Sequence, residues 1–183
     1  MLQAKECTLY SGGHQGTEAF FGECAEKWNV NEVTFSYEGH AIKREKNVVN
    51  LSPDQLRQGD VSIEIVNQRL HRNFKNETKI KNILQSIFHM INKGSQVFAV
   101  GVILDDDTVK GGTGWGVALG KFLNRDVTVF DKEKKNWFRW EEGNWVKCVP
   151  VIREATFCGT GSRYLTDEAK NAISDLFKRS FEG

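Results

Sequence analysis

The chain is short of several things, and each shortage excludes something. It holds 2 prolines and 2 methionines in 183 residues, so proline-rich linkers and polyproline segments are out. Its formal charge is only +1 at pH 7, whereas a dedicated nucleic-acid binder is normally strongly basic. No apolar run reaches the roughly 18 residues of a membrane span. Residues 1–6 carry no apolar stretch of the kind that opens a secretion signal. The cysteines are Cys7, Cys24, Cys148 and Cys158, with no C-x-x-C pair, which argues against a zinc ribbon or a thioredoxin motif. Each sits among apolar neighbours and reads as a small core side chain. A reducing, cytoplasmic setting is therefore expected, with no membrane partner and no resident metal.

What is present is an ordinary globular balance, 39% hydrophobic and 27% charged, long enough for one domain with a substantial core. The anomaly is glycine, at 17 residues. Three strand–glycine–helix units account for much of it. The first is a strand over residues 4–10, then Ser11-Gly12-Gly13-His14-Gln15-Gly16, then a helix over 17–28 with Phe21, Cys24, Ala25 and Trp28 on one face. A second strand covers 32–37, and residues 38–50 read as loop. Ser52-Pro53 has the form of a helix start, and helices are expected over 61–71 and 77–92. In the latter, Ile80, Ile83, Leu84, Ile87, Phe88 and Ile91 make one apolar stripe.

The second unit opens with the near-continuous apolar run 96–103, the mark of a strand buried on both faces. The acidic Asp105-Asp106-Asp107 and Gly111-Gly112-Thr113-Gly114-Trp115-Gly116 follow, then a helix to about 123 and a strand over 127–131. Residues 137–148 read as a β-hairpin around Glu141-Glu142-Gly143-Asn144. The third unit is a strand over 155–158, the loop Gly159-Thr160-Gly161-Ser162-Arg163, and a helix from Thr166. The repeated order implies an α/β fold with a mainly parallel sheet and helices on both faces. The loops at the strand C-terminal ends would then meet at a ligand crevice.

Glycine turns before helices suit phosphate, which the free N–H groups and the positive helix end can hold. They equally serve plain helix–strand packing. None of the three has the spacing of an ATP-hydrolysing P-loop. Ser11, Thr17, Thr113, Thr160 and Ser162 are hydroxyl donors to phosphate or helix caps. Arg163 offers a forked guanidinium to phosphate, or makes a surface ion pair. Glu18 stands at the first helix start, either as a favourable charge on the helix dipole or as a carboxylate for sugar hydroxyls or acid–base work. His14 is the accompanying acid–base candidate, and His40, His71 and His89 read as structural. Gln15 belongs to the first loop, Trp115 stacks on a base or covers the sheet edge, and Asp131 ends a strand where a ribose could lie. The three aspartates are a solvated loop or a Mg²⁺ site. The basic residues Arg69, Arg72, Lys75, Lys79, Lys81 and Lys93, opposed by Glu77, are a solvated face or a partner-binding patch.

Ser11-Gly12-Gly13-x-x-Gly16-x-Glu18 resembles the S-G-G-x-x-G-x-D opening of molybdenum-cofactor carrier-like proteins, with Glu in place of Asp. Those proteins belong to the Rossmann-like SLOG superfamily, with the Lonely Guy phosphoribohydrolases and the DNA-processing protein A family. The stretch from Val97 to Asp131, with Val109 to Trp115, and the stretch Phe157 to Arg163 look like an uncharacterised bacterial or phage branch of it. The resemblance implies a Rossmann-like three-layer domain, a nucleotide or pterin-type phosphorylated ligand, and a homodimer. Lonely Guy enzymes carry P-G-G-x-G-T-x-x-E. Here Lys110-Gly111-Gly112-Thr113-Gly114-Trp115-Gly116-Val117-Ala118 lacks both the Pro and the Glu, so any catalytic carboxylate would have to be Glu18. The expected function is binding of a nucleotide-derived or phosphorylated cofactor-like molecule, as carrier, sensor or sequestering protein. The alternatives are a nucleotide-cleaving hydrolase using Glu18 and His14, and a DNA- or protein-binding module.

Overall fold

The computed structural model describes residues 2–73 and 78–182; Lys75 and Glu77 of the basic stretch lie outside the described residues. Eight strands form one sheet: β1 (Thr8–Ser11), β2 (Asn31–Ser36), β3 (Val48–Asn50), β4 (Gln96–Gly101), β5 (Asp126–Asp131), β6 (Asn136–Glu141), β7 (Asn144–Cys148) and β8 (Thr156–Gly161). Their order is β3-β2-β1-β8-β4-β5-β6-β7. The first six in that order run parallel, and β6 and β7 add antiparallel at one edge. The hairpin is thus an extension of the main sheet. The helices are α1 (Thr17–Trp28), α2 (Pro53–Arg57), α3 (Asp60–Leu70), α4 (Thr78–Lys93), α5 (Thr113–Phe122) and α6 (Asp167–Phe181). This is the Rossmann-like three-layer α/β arrangement.

Strand alternation divides the core. Leu9, Phe98, Val100 and Phe157 face α1 and α6, where Phe21, Ala25, Ile173 and Phe177 are buried. Val97, Ala99, Val129 and Cys158 face the other way, toward Met90 and Ile91 of α4 and Val117 and Leu119 of α5. Every residue of β4 is buried, which explains its unbroken apolar run. Each large apolar side chain removed from water adds about 1.5–3 kcal/mol. The cysteines are free thiols, and burial pushes the Cys24 thiol up to about 11, the behaviour of a core residue. No described helix is long and apolar enough to cross a membrane.

Local starts and stops follow the side chains. Ser52 accepts the Gln55 N–H with Pro53 in the first turn of α2, and Thr166 accepts the Ala169 N–H to start α6. The hairpin is pinned by Lys121, whose ammonium lies 3.3 Å from the Trp140 ring centre and 4.4 Å from that of Trp145.

Four expectations change. Residues 4–6 form a 3₁₀ turn before β1. A short strand, β3, occupies the stretch read as loop; all of its residues are exposed, so it has no burial period to betray it. The third glycine loop is largely strand, because β8 runs through Gly159 and Thr160 to Gly161. Gly159 is a packing residue, since a Cβ there would run into the Phe21 ring. We expect Gly159→Ala to destabilise the fold by about 1–3 kcal/mol through overpacking, seen as a lower urea midpoint; an unchanged midpoint would contradict this packing.

Candidate ligand-binding site

The chain leaves β1 toward β2 on one side and β4 toward β5 on the other, with β8 between β1 and β4. Such a reversal of direction opens a crevice beyond the strand C-terminal ends. A cavity of about 710 Å³ lies there. The first unit contributes His14 and Glu18 to it, and the third contributes Thr160, Gly161, Ser162 and Arg163. From the second come Lys110, Gly111, Gly112, Thr113 and Trp115, while Lys132 follows β5. Ile80, Ile83, Leu84 and Ile87 of α4 also line it.

The three glycine loops are not equivalent. The second is open: a Cβ at Gly111 or Gly112 would meet nothing within 4 Å. At the start of α5 the Gly114 and Trp115 N–H groups donate to the Gly111 and Gly112 carbonyls, and the positive end of the helix dipole lies at the cavity. The loop is held from behind by Arg72, which donates to the carbonyls of Gly111 at 2.9 Å and Val109 at 3.0 Å. Gly114 backs onto the Val109 carbonyl, so it closes the turn and does not line the cavity. Trp115 donates its indole N–H to Asn67 and carries the Arg72 guanidinium 5.2 Å above its ring. Trp115 also lines the cavity.

The first loop is closed on itself. Gly13 has φ +65°, and a Cβ there would lie 2.7 Å from the Arg44 carbonyl. Its N–H donates to Ser11 Oγ at 3.3 Å, and its carbonyl accepts the N–H groups of Lys43 and Arg44. Gly12 packs on Glu18, and Gly16 packs on the Arg163 backbone. Thr17 donates both its N–H and its hydroxyl to the Ser162 carbonyl, at 3.2 and 2.8 Å. Ser11, Gly12, Gly13, Gly16 and Thr17 therefore build the junction behind the cavity rather than its lining. Gln15 and Gly16 instead border a separate hollow of about 500 Å³, shared with Lys43, Lys170 and Arg163.

Asp131 is also engaged. Its carboxylate accepts the backbone N–H groups of Ile103, Glu133 and Lys134, all at 2.9 Å, and it is buried. It caps the loop after β5 and does not reach the cavity. Asp106 turns back on Thr108, and no group of three or more metal-type ligands occurs among the described residues. The basic stretch disperses: Arg69 lies over the Phe122 ring, Arg72 holds the second loop, and Lys81 faces Asp60 at 3.8 Å.

At the cavity floor, Glu18 is 4% exposed. One of its oxygens accepts the His14 N–H at 3.0 Å and the other accepts the Thr160 hydroxyl at 3.0 Å. The His14 ring meets His40, Nε2 to Nε2, at 2.8 Å. His40 Nδ1 lies 3.1 Å from Ser36 Oγ, and its ring stacks on Tyr37 at 4.4 Å. Burial and the neighbouring His14 lower the His40 pKa to about 4. His40, read as structural, is held by these contacts beside His14. Sequence spacing gives no sign of the pair; beside it, residues 42–44 fold back over Gly13. The α4 stripe is legible in the sequence, but a helix pattern does not say what its face meets; Ile91 is core, and Ile80 lines the cavity.

Two outcomes follow. Glu18→Gln places an amide donor where two donors converge, and we expect a loss of about 1–3 kcal/mol, whereas Gly112→Ala should leave the urea midpoint unchanged. For His40 the folded pKa lies below the unfolded value near 6.5, so the unfolded chain binds its proton first. Stability should fall as pH drops from about 6.5 toward 4, and His40→Phe should flatten that fall in unfolding titrations; an identical slope would show that His40 is not held neutral.

No protein-family model, no curated protein and no solved structure matches this chain significantly.

Proposed function

We propose that the chain binds a phosphorylated, nucleotide-derived small molecule in the 710 Å³ cavity, as a carrier, sensor or sequestering protein. The observation that carries this reading is the mixed lining of the cavity. Ile80, Ile83, Ile87 and Trp115 give it apolar surface, and Lys110, Lys132 and Arg163 line it together with the open second loop at the start of α5. A base or pterin ring suits the apolar residues, and a phosphate suits the cations and the helix start. Lys132 is oriented by its 3.1 Å bond to Ser162. The short-motif resemblance to SLOG proteins, which implies a ligand of this type and a homodimer, agrees with the reading.

A second reading, hydrolysis of the bound molecule, is favoured by the position of the His14 ring at the cavity, with its backbone held by a buried carboxylate.

The test is thermal shift and calorimetry with AMP, ADP-ribose, cyclic dinucleotides and a pterin phosphate. A ligand at 100 times its dissociation constant should add about 2.7 kcal/mol. Arg163→Ala should weaken AMP while sparing adenosine, and Ile83→Lys should weaken both. No stabilisation by any of these at millimolar concentration would remove the proposal.

A further inference from the structure

An Nε2–Nε2 separation of 2.8 Å between His14 and His40 admits one proton between the two atoms, since a pair of lone pairs or of N–H groups would repel. Two arrangements satisfy the chain of bonds, because the Ser36 hydroxyl can donate or accept. In the one that leaves His14 a base, His14 donates Nε2–H to His40 Nε2, and His40 donates Nδ1–H to Ser36 Oγ, 3.1 Å away. His14 Nδ1 then keeps its lone pair, on a residue that lines the cavity. Ser36 is 4% exposed, and Tyr37 stacks flat on His40, at 12° between planes. His40 is therefore fixed in place. The charged and titratable groups around the pair are Glu18 of α1, Tyr37 after β2, and the cavity cations Lys110, Lys132 and Arg163.

Resting on the hydrolytic reading above, we propose that His14 is the general base for phosphate-ester hydrolysis of a bound nucleotide, and that His40 is its positioning residue. A water oxygen attacks phosphorus and forms the new P–O bond, and its proton passes to His14 Nδ1. The bond to the leaving oxygen breaks with its electron pair on that oxygen, which takes a proton from solvent. His14 then releases its own proton to solvent. Between these events the imidazolium is stabilised by the lone pair of neutral His40, in the way an orienting partner serves other histidine bases. The cavity cations face the phosphoryl charge. Burial keeps His40 from competing for the proton near neutral pH.

The test uses the full chain with AMP, ADP and ADP-ribose, followed by ³¹P NMR from pH 5 to 9, with AMP affinity measured in parallel. We expect phosphate or AMP release with an acidic limb in kcat/KM. His14→Asn should lower kcat by about 100-fold or more. His40→Phe should lower kcat by about 10- to 100-fold, leave KM and AMP affinity unchanged, and move the acidic limb to lower pH. Ser36→Ala, a milder change, should move the limb in the same direction. AMP binding without cleavage of any probe overturns this proposal and leaves the binding reading standing. Release of adenine instead of phosphate overturns the phosphoester step. Cleavage by His40→Phe and Ser36→Ala with an unmoved pH profile overturns the role of His40, and absence of AMP binding overturns both readings.

Discussion

One buried carboxylate ties the site together. Glu18 joins the first loop to the central strand by accepting the His14 N–H with one oxygen and the Thr160 hydroxyl with the other. A buried charge is costly unless both oxygens are satisfied, so this bond pair fixes where the start of α1 sits against β8. The Thr17–Ser162 bonds and the close approach of Gly16 to Arg163 follow from the same alignment. The pinned first loop places His14 beside His40 and at the cavity.

The sheet order then divides labour among the glycines. Because β8 lies between β1 and β4, its end is crowded from both sides, and Gly159 and Gly161 are there because neighbours leave no room for a side chain. The first loop serves the junction. Only the second, at the outer rim of the crevice, leaves space over Gly111 and Gly112. The same residue type thus answers a packing constraint in two places and leaves an opening in the third.

Much of the fold was legible because it rests on local physics. The run Val97 to Val100 marks a doubly buried strand, and Ser52-Pro53 and Thr166 mark helix starts that their caps make. The site was legible only in part. Gly111, Gly112, Thr113, Trp115 and Arg163 do line the cavity, since loops at strand ends must go there once the sheet is parallel. Asp131 and Ser11 could not be judged from type alone, because their partners are backbone N–H groups formed by the fold. The His14–His40 pair spans 26 residues of sequence, with the 42–44 segment folded back over Gly13 beside it. Lys132 and the α4 isoleucines gave no distinguishing signal, since an exposed lysine and an apolar stripe look alike with or without a cavity between them.

The central claim is that the rim of the second loop holds the phosphate while α4 and Trp115 hold the ring. A ¹H–¹⁵N NMR titration with AMP tests it most directly. The account predicts saturable shifts of the Gly112, Thr113 and Gly161 amides together with the Trp115 indole N–H. Shifts confined to the hollow around Gln15 and Lys170, or none at millimolar AMP, would contradict it.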